Sequence, residues 1–251
     1  GRTLALTPAG RLLVSHAEVV LNDIAAAESA LAALTTQGAG VVRIAAFPSA
    51  ARVLVPPAWA ALAGGAVTLR LLEQEPELSV ESLRCRDVDM AIVHGYTLLP
   101  RQVPTHCDEH HLLDDPVLLA VPPSVAAERG LAAGDVASLA DFAGLPWLAP
   151  NEDVSCHEIT ARACGAAGFV PDTVAHATDF AVLTALVAAG IGVALVPALA
   201  LPADVCGVSL HPLAEPVTRK VFALTRAGSA TRPDLRLVLA QLRVAADAWS
   251  T

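Results

Sequence analysis

Between residues 180 and 203 the chain carries no charged side chain. A run of that length and character belongs either in a bilayer or inside a large α/β core. Gly190-Ile191-Gly192 and Pro197 interrupt it, and each part suits a soluble element. Residues 180–189 read as a buried helix stopped by Gly190, because glycine takes the left-handed conformation that ends helices. Residues 192–196 read as a strand that is apolar on both faces, as strands of parallel sheets are. No Lys or Arg lies close to either end to act as an interfacial anchor. The run is therefore read as a helix and a strand in the interior of an α/β domain.

The same alternation extends along the chain. Strands are predicted at 41–47, 67–72 and 88–93, separated by helices at 50–63 and 77–84. Another strand-like run covers 116–123. A second series follows: helix 137–142, strand 146–149, helix 157–167, strand 174–176, helix 181–189, strand 193–196. A strand at 217–226 and an amphipathic helix at 234–249 close the chain. Strands alternating with helices mean parallel α/β sheets. At 251 residues the chain is long enough for more than one such unit. Two units joined by two crossings are expected to leave a cleft, and ligands favour domain interfaces and the carboxyl ends of strands.

Ahead of the first strand stands a long helix. Thr7 suits an N-cap and Pro8 the first helical position. Leu13, Ala17, Val20, Ile24, Ala27, Leu31 and Leu34 follow in steps of 4 and 3. That is the a/d spacing of a coiled coil. Thr35-Thr36-Gln37-Gly38-Ala39-Gly40 stops the helix, after about 29 residues or roughly 43 Å. Its expected partner is a second chain; the alternative is packing on its own domain.

Composition narrows the chemistry. The balance of 16 Lys+Arg against 25 Asp+Glu gives a net charge of −9. Such a body should not wrap nucleic acid by itself, because neutralising phosphates needs a basic face. The 4% aromatic content offers little for base stacking. Cysteines at 85, 107, 156, 164 and 206 include no C-x-x-C pair, which suggests reduced thiols in a cytoplasmic protein. No basic segment followed by an apolar one marks a secretory leader. No G-x-S-x-G, Walker loop or H-E-x-x-H supports an enzyme.

Several clusters remain. His106-Cys107-Asp108-Glu109-His110-His111 holds metal-ligand types, but it reads as a solvated surface connection between Pro104 and Asp114-Asp115-Pro116. Cys156 and Cys164 flank a predicted helix. Eight residues of helix span about 12 Å, too far for a disulfide without unwinding, so two small buried hydrophobes are the simpler expectation. Ser49, Ser155 and Thr178-Asp179 stand at predicted helix starts. Each pairs a hydroxyl with helix N–H groups, so together they suit a small anion such as a carboxylate. Taken singly, each is an ordinary N-cap.

Four segments carry a family resemblance. Arg2-Thr3-Leu4-Ala5-Leu6-Thr7-Pro8-Ala9-Gly10 resembles the end of the DNA-binding wing of LysR-type transcriptional regulators, leading into their linker helix. Gly40-Val41-Val42-Arg43-Ile44-Ala45-Ala46-Phe47 resembles the first strand of their effector domain, and Asp87-Val88-Asp89-Met90-Ala91-Ile92 is similar to their third-strand motif. Leu186-Val187-Ala188-Ala189-Gly190-Ile191-Gly192-Val193-Ala194-Leu195-Val196-Pro197 is the most specific match.

The resemblance implies an α/β fold with a long N-terminal linker helix and two Rossmann-like subdomains of the periplasmic-binding (type II) kind. It places the end of the wing and the dimerising helix in 1–38, regulatory subdomain I in 41–119 and 217–251, and subdomain II in 120–216. The crossings are expected near 119–121 and 210–217. It implies a homodimer, with tetramer formation beyond it, and a small-molecule effector bound between the lobes, with no further cofactor. By position the effector residues are Ser49, Ala50 and Arg52, then His94 and Tyr96, then Asn151, Ser155 and Thr178. The recognition helix is expected upstream of Gly1, so operator DNA would be bound there, with Arg2 and Arg11 touching phosphates. The cysteine pair resembles that of the family's peroxide-sensing branch, but the spacing differs and no basic neighbour is evident. The alternative reading is a solute-binding receptor with the same two-lobed body, against which the heptad helix, the unpaired cysteines and the missing leader all stand.

Overall fold

The fold is that of a computed structural model, which describes residues 7–35, 40–152, 154 and 156–250. The chain forms two compact units. The first comprises Gly1–Val93, Gln102–Leu112 and Phe222–Thr251; the second comprises His94–Arg101 and Leu113–Val221.

The first unit begins with helix α1, Pro8–Thr35. Thr7 caps it: its Oγ1 accepts from Gly10 N–H at 3.1 Å. Strand β1 (Gly40–Ala46) is followed by helices α2 (Pro48–Val53) and α3 (Val55–Leu62), strand β2 (Val67–Glu73), helix α4 (Pro76–Arg84) and strand β3 (Met90–Tyr96). β1 is the shared neighbour, parallel to β2 from Gly40↔Val67 and to β3 from Ile44↔Met90. The C-terminal parts of the unit are the first half of strand β4 (Cys107–Val121), the second half of strand β9 (Thr218–Arg226), and helix α8 (Pro233–Ser250). The strand order here is β2-β1-β3-β9-β4. Helix α4 covers one face, where Leu83, Ala45, Ala91 and Leu224 form a core. Helix α8 packs on α3 and β1, burying Leu235, Val238 and Leu242 completely.

The second unit contains the rest of β4, helix α5 (Pro123–Glu128), strand β5 (Pro146–Pro150), helix α6 (Glu158–Ala166), strand β6 (Asp172–Ala177), helix α7 (Phe180–Ala188), strand β7 (Val193–Pro197), strand β8 (Ser209–Pro212) and the start of β9. Its strand order is β4-β7-β5-β6, with β8 paired to β4. β5 lies parallel to β6 and β7; β4 lies antiparallel to β7 and β8. Alternation along each strand sorts the core into two layers. Trp147, Val193, Leu195 and Leu119 join the layer of α6. Their neighbours Leu148, Ala194, Val196 and Ala120 join the layer of α7.

Residues 180–203 therefore form a helix and a strand, and among the described residues no helix is long and apolar enough to cross a membrane. Gly190 ends α7 with φ +78°, as a left-handed C-terminal residue should. A Cβ on Gly192 would lie 2.5 Å from the carbonyl oxygen of Pro146, so only glycine lets β7 come this close to β5.

The structure corrects several expectations. The helix expected at 50–63 is two helices, α2 starting earlier at Pro48. They part at Leu54 because Pro56 and Pro57 have no N–H to offer the carbonyls four residues back. Residues 107–111 are not a surface connection but the beginning of the 15-residue strand β4. Their polar character fits a strand whose burial alternates, with Glu109 and His111 more open than Leu112 and Leu113. The helix expected at 137–142 is a single 3₁₀ turn, Leu139–Phe142. The crossing expected at 210–217 contains strand β8, and helix α5 lies where no helix was expected. The chain passes between units inside β3, at Val93/His94, inside β4, at Leu112/Leu113, and inside β9, at Val221/Phe222, and returns once outside a strand, at Arg101/Gln102. Each strand is continuous, so no turn residue or change of composition marks the crossings inside them.

Candidate functional site

Ser49 and Ala50 lie in the first turn of α2, in the first unit, and both are buried. Ser49 does not cap this helix, as the sequence suggested. Phe47 holds the N-cap position without a side-chain bond, and Pro48 precedes Ser49 inside the helix. Arg52 stands in the last turn of the same helix and is exposed.

The remaining expected residues belong to the second unit. Asn151 follows β5 and Thr178 follows β6. The parallel pairing of those strands brings their ends together, and Asn151 Nδ2 donates to Thr178 Oγ1 at 3.0 Å. The Asn151 N–H also donates to the carbonyl of Ala177, so the amide is held from two sides. Asp179 caps α7, its Oδ1 accepting from Ala181 N–H at 2.8 Å. Thr178 is thus relieved of capping, and its exposed hydroxyl serves Asn151 instead. Ser155 lies outside the described residues, as does Arg2. The side chains of Leu31 and Leu34 lie outside them too.

His94 and Tyr96, at the end of β3, are both buried, with ring centroids 5.3 Å apart in an edge-to-face arrangement. Arg101 Nε donates to the carbonyl of His94 at 2.7 Å. Burial, aided by the Arg219 and Arg101 guanidinium groups, holds the His94 imidazole well below its ordinary range, so the ring is neutral at pH 7. Burial likewise pushes the Tyr96 phenol well above its ordinary range.

Beside these two lies a charged pair that sequence reasoning did not single out. Asp115 of β4 and Arg219 of β9 have side chains 0% and 2% exposed. Arg219 donates through Nε at 2.8 Å and Nη2 at 2.7 Å to Asp115 Oδ2, while Asp115 Oδ1 accepts from Leu199 N–H at 2.9 Å. Burial pushes the Asp115 carboxyl upward, and the guanidinium works against that shift. The sequence marked neither residue, since Asp115 follows Asp114 and Arg219 precedes Lys220, and only burial separates each from its charged neighbour. Buried charges are paired, so two residues known to be buried predict each other.

Cys156 is 5% exposed and shares a core cluster with Tyr96. It lies within electrostatic range of both Tyr96 and Arg219. Cys156 therefore does have a basic neighbour, supplied by β9 rather than by residues close in sequence. Cys164, inside α6, is fully buried, and burial pushes its thiol up to about 12. No disulfide joins any of the five cysteines. Thr160, also on α6, is 1% exposed, and its Oγ1 has no hydrogen-bond partner among the described residues. Among the described residues no group of three or more His, Cys, Asp and Glu is placed to hold a metal ion.

On α1, Leu13, Val20 and Ile24 are 71%, 56% and 50% exposed, and Ala17 and Ala27 are exposed with them. Arg11 is exposed near the start of the same helix.

Comparison with known proteins gives these features a context. Residues 35–247 match the family described as the LysR substrate binding domain. A protein of Mycobacterium avium described as a probable hydrogen peroxide-inducible genes activator is 27% identical over 214 residues, covering 81% of this chain and 63% of that protein. A protein of Mycobacterium xenopi with the same description is 32% identical over 124 residues, covering 49% of this chain and 63% of its own length. The chain spans about 63% of the length of these curated relatives. Among solved structures, a cysteine mutant of Corynebacterium glutamicum OxyR superposes with a TM-score of 0.71 at 20% identity, over 98% of this chain and 77% of that one. HinK, a LysR family transcriptional regulator from Pseudomonas aeruginosa, gives 0.70 at 22% identity, over 96% of this chain and 81% of its own.

Proposed function

We propose, from the premise that this chain belongs to the LysR substrate-binding-domain family, that it is the effector-sensing part of a transcriptional regulator. The observation that carries the reading is the family match across residues 35–247, which takes in both units. The effector is a small organic anion. Its candidate contacts are Ser49, Ala50, Arg52, His94, Tyr96, Asn151, Ser155 and Thr178. The hydroxyl and amide of Thr178 and Asn151, already hydrogen-bonded to each other, form a pre-arranged pair of polar groups suited to a carboxylate. An effector that binds one conformation better than another shifts the population toward it. The response passes to α1, whose exposed apolar heptad positions suit pairing with the same helix of a second copy. Operator binding is a property of the whole regulator, to which Arg11 would add a phosphate contact.

A panel of small carboxylates screened by thermal shift tests this. At least one compound should raise the melting temperature of the wild-type chain, and less so in Ser49→Ala and in Thr178→Ala. No stabilising compound, or identical shifts in all three proteins, would count against the site.

One observation favours a second reading. Cys156 is buried within electrostatic range of Arg219, and the two mycobacterial relatives are described as probable hydrogen peroxide-inducible genes activators. Attack of the Cys156 sulfur on hydrogen peroxide would give a sulfenate and water, with the guanidinium available to stabilise the anion. Mass spectrometry after peroxide treatment should then find one added oxygen at Cys156 and none at Cys164. Equal labelling of the exposed Cys85 and Cys206 without Cys156 would exclude this reading.

A further inference from the structure

The first unit holds a cavity of about 180 Å³ that involves none of the residues considered so far for the effector. Leu21 of α1, Val80 of α4 and Pro104 give it an apolar wall, and Arg84, Arg86 and Arg226 line it as well. No carboxylate stands among the described lining residues. An apolar wall with arginines in the same lining is the pattern of a site for an amphipathic anion.

The position of Arg86 strengthens the case. Its φ is +65°, and it is the sole non-glycine residue with positive φ among those described. It follows Cys85, the C-cap of α4, in a turn closed by Arg86 N–H to the carbonyl of Leu83 at 3.3 Å and Asp87 N–H to that of Ser82 at 2.9 Å. Glycine is the residue that fits such a helix-ending turn without strain. An arginine in the left-handed conformation costs free energy that glycine would not, and strain of this kind gathers at functional positions.

Arg226 is held rigid. Its Nη1 donates to the carbonyls of Leu83 and Val88 at 3.1 and 2.6 Å, and its Nη2 to Asp89 at 3.2 Å. Burial pushes its guanidinium below its ordinary range; Asp89 works against that shift, and the charge of Arg86 adds to it. An anion here would add to the partial compensation that Asp89 already gives Arg226 and would meet the charge of Arg86 directly. Arg84 is engaged with Glu81 at 2.8 Å and so contributes less.

We propose that this cavity binds a small monocarboxylate with a compact apolar body, the carboxylate facing Arg86 and Arg226 and the hydrocarbon lying against Leu21, Val80 and Pro104. The volume is below the roughly 300–1,000 Å³ of drug-sized sites, which limits the ligand to a ring or short branched chain. The apolar wall disfavours inorganic phosphate and dicarboxylates, whose additional charge would be buried there. Because Leu21 belongs to α1, an occupant touches that helix as well as the body of the unit.

The test uses benzoate as the probe and the full chain as the protein, with binding followed by calorimetry. Benzoate should bind saturably at millimolar concentration, and benzyl alcohol and inorganic phosphate at least tenfold more weakly. Arg86→Gly removes the guanidinium and relaxes the backbone, so it should weaken benzoate at least tenfold while the chain melts no lower. Val80→Phe should abolish binding by filling the cavity; should that variant fold poorly, Arg86→Gly decides alone. Absence of saturable benzoate binding overturns the proposal. So does binding that Arg86→Gly leaves unchanged, or equal affinity for benzoate and either control.

Discussion

Strand β9 carries an arginine to a carboxylate in each unit, and the two arrangements differ in how they are sealed. In the second unit Arg219 and Asp115 form a single pair, with neither side chain more than 2% exposed. In the first unit Asp89 is a hub: Arg226, Arg232 and Arg43 all reach it, at 3.2, 3.4 and 3.2 Å. Arg43 is 44% exposed and also gives Asp89 its backbone N–H at 3.0 Å. In the sealed pair Asp115 has the neutral Leu199 N–H besides the guanidinium, so removing Arg219 leaves a carboxylate charge uncompensated in a low-dielectric interior. A hub retains other partners, and its outer members can turn to water. The same chemistry on one strand should therefore give unequal sensitivity.

The largest effect tests this directly. Arg219→Ala should destabilise the chain by about 3–5 kcal/mol in urea unfolding, the usual cost of breaking a buried pair. The double variant Arg219→Met with Asp115→Leu should recover most of that loss, because a buried pair exchanged for apolar residues of similar volume is often neutral or better. A loss below about 1 kcal/mol for the single variant would mean that water reaches Asp115, and the contrast would collapse.

The hub should give a smaller figure. Asp89→Asn removes the charge but keeps an acceptor, and Arg226 keeps its bonds to Leu83 and Val88. A loss of about 1–3 kcal/mol is expected, the range for an imperfectly satisfied buried group. The acid limb of the stability profile provides a second measure. Burial raises the Asp89 carboxyl, but the Arg43 hydrogen bonds outweigh it, so the folded carboxyl titrates below its ordinary value of 3.8. Its contribution is present above the unfolded value and is lost as pH falls through the folded one. Asp89→Asn should flatten the profile below about pH 4 and leave it unchanged near pH 7.

These two arrangements also mark what could be read in advance. The alternation of elements was legible because Gly190 and Gly192 punctuate the apolar run and because each apolar strand is short. Helix α1 announced itself by Thr7, Pro8 and the heptad. The break at Leu54 was legible but missed: Pro56 and Pro57 stand in the middle of the expected helix 50–63, where a proline removes a ladder hydrogen bond. The first half of β4 was hidden because His, Asp and Glu on a half-buried strand look like a loop. At the candidate site, the ends of β5 and β6 brought Asn151 to Thr178, an outcome of parallel register. Asp115 with Arg219, and Cys156 with Arg219, are separated by long stretches of chain. No local pattern marks such pairs; only the rule that buried charges need partners points to them.

The smallest effect compares two histidines, one in each unit. Burial, then Arg219 and Arg101, hold His94 well below the ordinary histidine value of 6.5. His110 is also lowered, first by burial and then by Arg243, but Asp108 and Glu109 act in the opposite direction. His110 also bonds Thr225 at 2.9 Å, whichever tautomer it adopts. In both cases the unfolded chain takes up a proton that the folded chain resists. Their stabilising contribution is therefore complete above about pH 6.5 and is lost as pH falls below it. A single group of this kind contributes at most about 1.4 kcal/mol per pH unit in that window. Stability should thus decline between pH 6.5 and 5 in the wild-type chain. His94→Gln should remove more of that slope than His110→Gln, because the His110 shift is partly offset by two carboxylates. Melting curves of the three proteins at pH 7.5, 6 and 5 decide it. Equal slopes in wild type and His94→Gln would mean that His94 takes up its proton as readily folded as unfolded, and that the Arg219 end of β9 is open to water after all.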